Sequence, residues 1–246
     1  MRLVTWNCCR GAFDRKVPLL DRLAADIAVV QECARPACES PTCLWFGDNL
    51  RQGLAVRARP PYRLKALPPL RDVPKYVIPI AVSGPRRFTL LAVWMLGKPQ
   101  AHPYVEGAIR AIEMYRELIA SSPTVVLGDL NSNTIWDHQH KPHLSHSGLV
   151  ARLAELGLVS AYHHHRDEPH GRETKPTFYF QWKKERPYHI DYCFLPRKWA
   201  RHGLRVQVGS YETWRSWSDH RPLVVEIGDA RAPISKKSSP LNLNRS

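Results

Sequence analysis

Nowhere do the 246 residues contain a run of about 18 consecutive apolar side chains, the length a helix needs to cross a bilayer, so no membrane span is expected. The opening Met1-Arg2-Leu3-Val4-Thr5-Trp6-Asn7 runs straight into a strand pattern, without the apolar core and small-residue cleavage site of a secretory signal. A cytoplasmic enzyme is the resulting expectation. Cysteine pairs are also missing: Cys8, Cys9, Cys33, Cys38, Cys43 and Cys193 contain no C-x-x-C unit, which argues against a zinc ribbon or a redox motif. Cys33, Cys38 and Cys43 are evenly spaced but want a fourth ligand, and free thiols in a reducing compartment are the simpler reading. Acid is the scarce charge, with 22 Asp plus Glu against 36 Lys plus Arg. The resulting net charge of +14 directs attention to a polyanionic partner, since attraction to phosphate is independent of sequence. Nucleic acid fits, anionic lipid fits nearly as well, and a merely soluble basic surface is the bland alternative.

What is present is ordinary for a globular protein: 43% hydrophobic and 24% charged residues, enough to bury a sizeable core. Residues 2–6 and 26–31 read as strands around a helical repeat of Val17, Leu20, Leu23 and Ala24, a strand-helix-strand opening typical of an α/β sheet. Further strands are expected at 54–56, 76–82, 88–94, 125–127, 190–195, 205–208 and 223–227, with helices at 105–119 and about 147–156, the latter stopped by Gly157. Closely spaced Pro and Gly between the middle strands suggest hairpins, hence a mixed sheet. Residues 162–175 read as a polar loop. No repeat or linker divides the chain, so one catalytic domain over 1–228 is expected, followed by a disordered polar tail at 229–246.

Five segments place acid, amide or imidazole groups at strand ends, where α/β enzymes assemble their sites: Thr5-Trp6-Asn7, Gln31-Glu32, Gly128-Asp129-Leu130-Asn131, His189-Ile190-Asp191-Tyr192 and Ser218-Asp219-His220. Residues two apart in an extended chain face the same way, which pairs Asp129 with Asn131 and His189 with Asp191. Gly128 permits a turn or a close backbone approach just before the first pair. Each segment alone is weak, because an Asp after a strand is often a turn or cap residue.

In order and together, the strings TWN, QE, GDLNSN, HIDYCFLP and SDHRPL closely resemble the endonuclease/exonuclease/phosphatase superfamily, from Arg2 to about Ile227. The resemblance implies an α/β, deoxyribonuclease I-like, four-layered sandwich: two mixed β-sheets packed face to face, helices outside, and the site at one edge. It implies Mg²⁺ or Mn²⁺ as cofactor, with Glu32, Asn7 and Asp219 near the metal. It further implies that Asp129 orients or deprotonates water, that Asn131 holds a phosphate oxygen or that water, and that His220 stabilises the transition state with Asp191 fixing its tautomer. Thr177 and Tyr179 resemble the substrate-meeting segment of nuclease relatives, beside Lys183, Lys184 and Arg186, although Phe178 and Trp182 suit core packing equally well.

Two positions depart from the family pattern. Cys9 stands where many relatives carry Asp or Asn near the metal, and is a soft ligand for Mg²⁺. Near Trp94, where relatives carry a phosphate-touching His or Tyr, the chain reads Val93-Trp94-Met95, with His102 and Tyr104 several residues later. The triplet His163-His164-His165 has no ligand partner at a helpful spacing and reads as a solvated turn. The leading expectation is a metal-dependent nuclease cleaving DNA or RNA. The alternatives are a phosphoesterase on lipid or small phosphorylated molecules, and an inert nucleic-acid-binding module.

Overall fold

Residues 1–11, 13–36, 40–97 and 104–228 are described by the computed structural model. Cys38, His102 and the expected tail at 229–246 lie outside them. In chain order the strands are β1 (Arg2–Asn7), β2 (Ile27–Cys33), β3 (Cys43–Asn49), β4 (Gln52–Ala58), β5 (Arg63–Ala66), β6 (Val77–Ser83) and β7 (Phe88–Trp94). They continue as β8 (Thr124–Asp129), β9 (Leu158–Ser160), β10 (Phe178–Tyr179), β11 (Pro187–Tyr188), β12 (Asp191–Pro196), β13 (Arg205–Val208) and β14 (Leu223–Glu226). The helices used below are α1 (Phe13–Arg22), α2 (Tyr104–Met114), α3 (Arg116–Ser121), α4 (His146–Glu155) and α5 (Ala161–Arg166).

Two six-stranded sheets result, ordered β13-β14-β1-β2-β4-β3 and β5-β6-β7-β8-β12-β9. Each is mixed in the same way: the central pairs β1/β2 and β7/β8 are parallel and the flanking pairs antiparallel. The period of two along each strand decides the layers. Leu3, Ile27 and Val29 of the first sheet meet Leu90, Val125, Leu127, Cys193 and Leu195 of the second in one core. Their neighbours point outwards: Val4, Trp6, Ala28 and Val30 pack beneath Phe13 and Leu20 of α1. On the far side Leu91, Val126, Tyr192 and Phe194 pack beneath Val105, Ile109 and Ile112 of α2 and Leu149 and Leu153 of α4. Central strands buried on both faces read as continuous apolar runs, which is why β7 is buried at every position. The arrangement is the expected four-layered α/β sandwich.

The differences from the sequence reading have local causes. The helix expected over 105–119 is stepped: Tyr115 adopts φ −93°, ψ 12° between α2 and α3, while Tyr115 N→Ala111 O and Ile119 N→Tyr115 O bonds persist at 3.0 and 2.9 Å. The supposed loop at 162–175 begins with α5, which is anchored by the fully buried Ala161 and by Tyr162. The Tyr162 hydroxyl donates to Glu168 Oε2 (2.7 Å) and accepts from Lys175 N (3.0 Å), pinning the following segment. Strands β5, β9, β10 and β11 are too short to show an alternation in the sequence, β3 joins an apolar run at 43–46 to Gly47, Asp48 and Asn49, and pairing with their neighbours creates them.

Candidate active site

Strand ends from both sheets meet at one edge of the sandwich. Parallel pairing sets Asn7 of β1 beside Gln31 of β2, and antiparallel pairing sets Asp191 of β12 opposite Asp129 of β8. Gln31 ties the sheets together, its Nε2 donating to Thr5 Oγ1 (2.9 Å) and across the interface to Val93 O (3.2 Å). Glu32 is inside β2, not past its end: the β2/β4 register shifts between Val30 and Cys33, and Glu32 takes φ 56° on that bulge. A bulge of this kind re-aims a side chain out of the regular alternation. Gly128 serves close approach: at φ 151°, a Cβ added there would lie 1.9 Å from Val93 O of the adjacent parallel strand.

The side chains form a connected set. Asn7 Nδ2 donates to Glu32 Oε1 (3.2 Å) and to Asp129 Oδ2 (3.0 Å). Asn131 donates to Asp129 through its backbone N (2.8 Å) and its Nδ2 (3.2 Å). The pair meets by a turn, not along an extended strand, because β8 stops at Asp129 and Asn131 has φ 47°. His220 Nδ1 donates to Asp191 Oδ2 at 2.9 Å, and ligand atoms of Asp129, Asp191 and His220 all lie within 4.8 Å of one another. Asp219 is half-buried one residue away and contacts the Cys9 thiol.

Electrostatics separates the roles these groups can take. Burial, reinforced by the Asp191 charge, pushes the Asp129 pKa up to about 7. For His220 burial acts against the charged ring, but Asp191, through its charge and hydrogen bond, and then Asp129 and Asp219 outweigh it, and the pKa is pushed up to about 9. His220 is therefore an imidazolium at neutral pH whose Nε2–H faces away from its aspartate partner. Burial, then Asp219, pushes the Cys9 thiol up to about 12, so Cys9 stays a neutral thiol beside that carboxylate.

Positioning residues that the sequence did not single out surround this set. Ser218 Oγ donates to Asn7 O (2.7 Å) and accepts from His220 N (2.9 Å), tying the imidazole segment to β1. Arg221 is fully buried, donates to Ser218 O (2.7 Å) and His220 O (2.9 Å), and is sandwiched by the rings of Tyr179 and Tyr211 at 4.7 and 4.8 Å. Asn133 Nδ2 reaches His189 O (2.8 Å) and Tyr192 Oη (3.0 Å). The final asparagine of GDLNSN was the available signal for Asn133; Ser218 and Arg221 had none beyond adjacency to His220.

Thr177 and Tyr179, expected to meet substrate, are both buried and engaged within the protein. Thr177 is fully buried, and its hydroxyl accepts from Ile190 N (3.0 Å) and Asp191 N (3.1 Å), so it holds Asp191 in place. Tyr179 is 9% exposed and packs on Arg221. The accessible aromatics of this segment are instead Phe180 (43% exposed) and Trp182 (48% exposed), which removes Trp182 from the core, while Phe178 packs on the His220 ring at 4.6 Å. Thr177→Val strands two buried N–H groups and is expected to cost about 2 kcal/mol of stability. Urea unfolding measures this, and a loss below about 0.5 kcal/mol would show that water replaces the hydroxyl.

Trp94 is buried and stacks on Tyr76, so the absent His or Tyr is not supplied there. Tyr104, 43% exposed, instead lines a cavity of about 520 Å³ together with Asn131, Trp136, Phe178, Phe180 and Tyr188.

The sequence matches the profile of the Endonuclease/Exonuclease/phosphatase family over residues 4–220. No curated protein sequence matches it. Solved structures do. A 3' phosphatase, NExo from Neisseria, bound to a product DNA hairpin, has 22% identity and a TM-score of 0.65, covering 93% of this chain and 99% of that one. An AP endonuclease from Archaeoglobus fulgidus has 19% identity and a TM-score of 0.67, covering 92% and 99%. The endonuclease domain of TRAS1, a telomere-specific non-LTR retrotransposon, has 18% identity and a TM-score of 0.62, covering 92% and 97%. With the profile spanning nearly the whole described chain and the sandwich shared throughout, the protein belongs to the endonuclease/exonuclease/phosphatase family of hydrolases.

Proposed function

We propose that residues 1–228 form a Mg²⁺- or Mn²⁺-dependent phosphodiester hydrolase that cleaves nucleic acid. The observation that carries this reading is the juxtaposition, at Asn131, of the buried Asp129/Asp191/His220 cluster with a cavity walled by Trp136, Phe178, Phe180 and Tyr188. Acid and imidazole suit phosphoester chemistry, and aromatic walls suit a nucleobase or sugar taken out of its stack. The +14 charge favours a polyanion; the similar Neisseria 3' phosphatase is bound to a product DNA hairpin, and the similar Archaeoglobus protein is named an AP endonuclease.

The donor set fits a hard cation. Glu32, Asn7 and Asp219 all offer oxygen, Glu32 Oε2 pairs with an exposed Arg10 at 3.5 Å, and the buried Asp191 Oδ1 has no hydrogen-bond partner among the described residues. When bound, such an ion supplies counter-charge to the phosphoryl oxygens. Asp129, with a pKa near neutrality, is poised to accept a proton from the attacking water, and Asn131 orients it. His220 donates from Nε2 to the charge developing on phosphoryl or leaving oxygen, while Asp191 holds the ring in the charged state. Free Cys8, Cys9, Cys33 and Cys193, all but Cys9 buried, accord with a reducing, cytoplasmic setting.

Supercoiled, linear, single-stranded and abasic DNA, and structured RNA, should be incubated with the protein in Mg²⁺ or Mn²⁺, alongside sphingomyelin and inositol phosphates. Cleavage of at least one nucleic acid is expected, lost with chelator and restored by Mg²⁺. Hydrolysis of lipid or inositol phosphate without nucleic-acid cleavage would reject the proposal. Equal background cleavage by the wild type and Asp129→Asn, both binding DNA, would make the protein a binding module.

A further inference from the structure

Of the three consecutive histidines, His164 and His165 are exposed but the His163 side chain is only 8% exposed, so the triplet is not a solvated turn. The fold also supplies the ligand partners that linear spacing did not reveal. α5 ends at Asp167, whose left-handed backbone (φ 54°, ψ 37°) reverses the chain. His170 then stacks on His163 with ring centroids 3.5 Å apart, and Glu173 Oε1 lies 2.9 Å from His163 Nε2. Donor atoms of His163, His170 and Glu173 all fall within 4.8 Å of one another. Ligands around a tetrahedral ion with bonds of ~2.0–2.1 Å are separated by roughly 3.3 Å, a span these donor atoms can reach once the stacked His163 and His170 rings turn towards one ion.

The surrounding donors are short of partners. His170 Nδ1, His189 Nε2 and His146 Nε2 are buried without a hydrogen bond among the described residues, an unusual state for polar atoms in a folded protein. The His189 and His170 rings lie 5.8 and 3.5 Å from His163, and the His146 ring 5.7 Å from His170. His189 Nδ1 meets Lys175 O at 2.9 Å, which places the proton on Nδ1 and the lone pair on Nε2, the arrangement that metal-ligating histidines use. His163 Nδ1 meets Ser160 Oγ at 2.7 Å, a hydroxyl that can donate to the ring nitrogen or accept from it. Burial holds His170 and His189 neutral, with pKa values pushed down to about 3 and about 4. The hydrogen bonds reaching Glu173 from His163, Asn133 and Gly171 all fall on Oε1, leaving Oε2 for another partner.

We propose that His163, His170 and Glu173 bind zinc, with His189 or water as the fourth ligand, at a site separate from the catalytic carboxylates. Two imidazoles with one carboxylate suit a borderline-soft ion and not Mg²⁺, which prefers oxygen throughout. The ion is structural. It clips the segment after α5 onto the second sheet, where Asn133 already joins Glu173 Oε1 to His189 O and Tyr192 Oη. The site therefore stands whether or not the proposed reaction does.

The test uses full-length protein stripped with chelator, kept in saturating Mg²⁺ and titrated with Zn²⁺, and with Co²⁺ as a coloured substitute. One saturable equivalent of Zn²⁺ is expected, with tetrahedral Co²⁺ absorption and a Tm rise of about 5 °C. His170→Ala and Glu173→Gln should each weaken Zn²⁺ binding by about 100-fold or more, and Glu32→Gln should leave it unchanged. X-ray absorption of the wild-type zinc complex, which needs no variant to fold, should show imidazole nitrogens at ~2.0–2.1 Å. Absence of saturable binding, binding that survives both His170→Ala and Glu173→Gln, loss in Glu32→Gln, or a sulfur shell around the zinc would each overturn the proposal.

Discussion

His220→Ala is expected to lower kcat of the proposed nucleic-acid cleavage by about 10³- to 10⁴-fold with KM little changed. The substitution removes the imidazolium held against the Asp129/Asp191 pair, and with it a charged donor whose value is greatest where charge develops. Asp191→Asn separates two roles of the carboxylate. It can preserve the hydrogen bond to Nδ1 but removes the charge that keeps the ring protonated, so a loss of about 10²- to 10³-fold is expected. Single-turnover rates with saturating Mg²⁺ measure both, and circular dichroism checks that the variants fold. A loss of less than tenfold in His220→Ala would remove this residue from the reaction.

Gly128→Ala is expected to destabilise the protein by about 4 kcal/mol, combining a collision with backbone and an unfavourable φ. The added methyl would lie 1.9 Å from Val93 O, and that carbonyl belongs to the central parallel pair and already accepts from Gln31 Nε2. Neither partner is a flexible side-chain end, so relief requires sliding β7 against β8 and moving Asp129 with it. The urea midpoint should fall and any surviving folded protein should have lost activity. A cost below about 1 kcal/mol would mean that the two strands separate more easily than their packing indicates.

The sequence showed most clearly those parts of the fold that are buried on both sides. β7 is apolar at six of seven positions because helices cover one face and the opposing sheet the other, and its expected limits, Phe88 and Trp94, are its actual ones. β5 and β9 escaped notice because edge strands carry few apolar residues and take their shape from one neighbour. The convergence of Asn7, Glu32, Asp129, Asn131, Asp191 and His220 was legible only through the family resemblance, since residues up to 213 positions apart meet by packing and leave no periodic trace. Thr177 misled because threonine offers the same hydroxyl to a ligand or to its own backbone, and burial alone distinguishes the two. His163 misled for the opposite reason: its partners lie seven and ten residues ahead, on a path set by one left-handed residue at Asp167.

β1 is hydrogen-bonded to β14 as well as to β2, with Leu3 opposite Val225 and the Met1 amino group bonded to Ile227 O at 2.9 Å. Asn7 and His220 are held together by that late pairing, through Ser218 and the Trp6 indole. A nascent chain still on the ribosome thus carries Asn7, Glu32 and Asp129 long before the strand that seats the imidazole emerges. Assembly of the candidate site therefore waits on the pairing of β14 with β1.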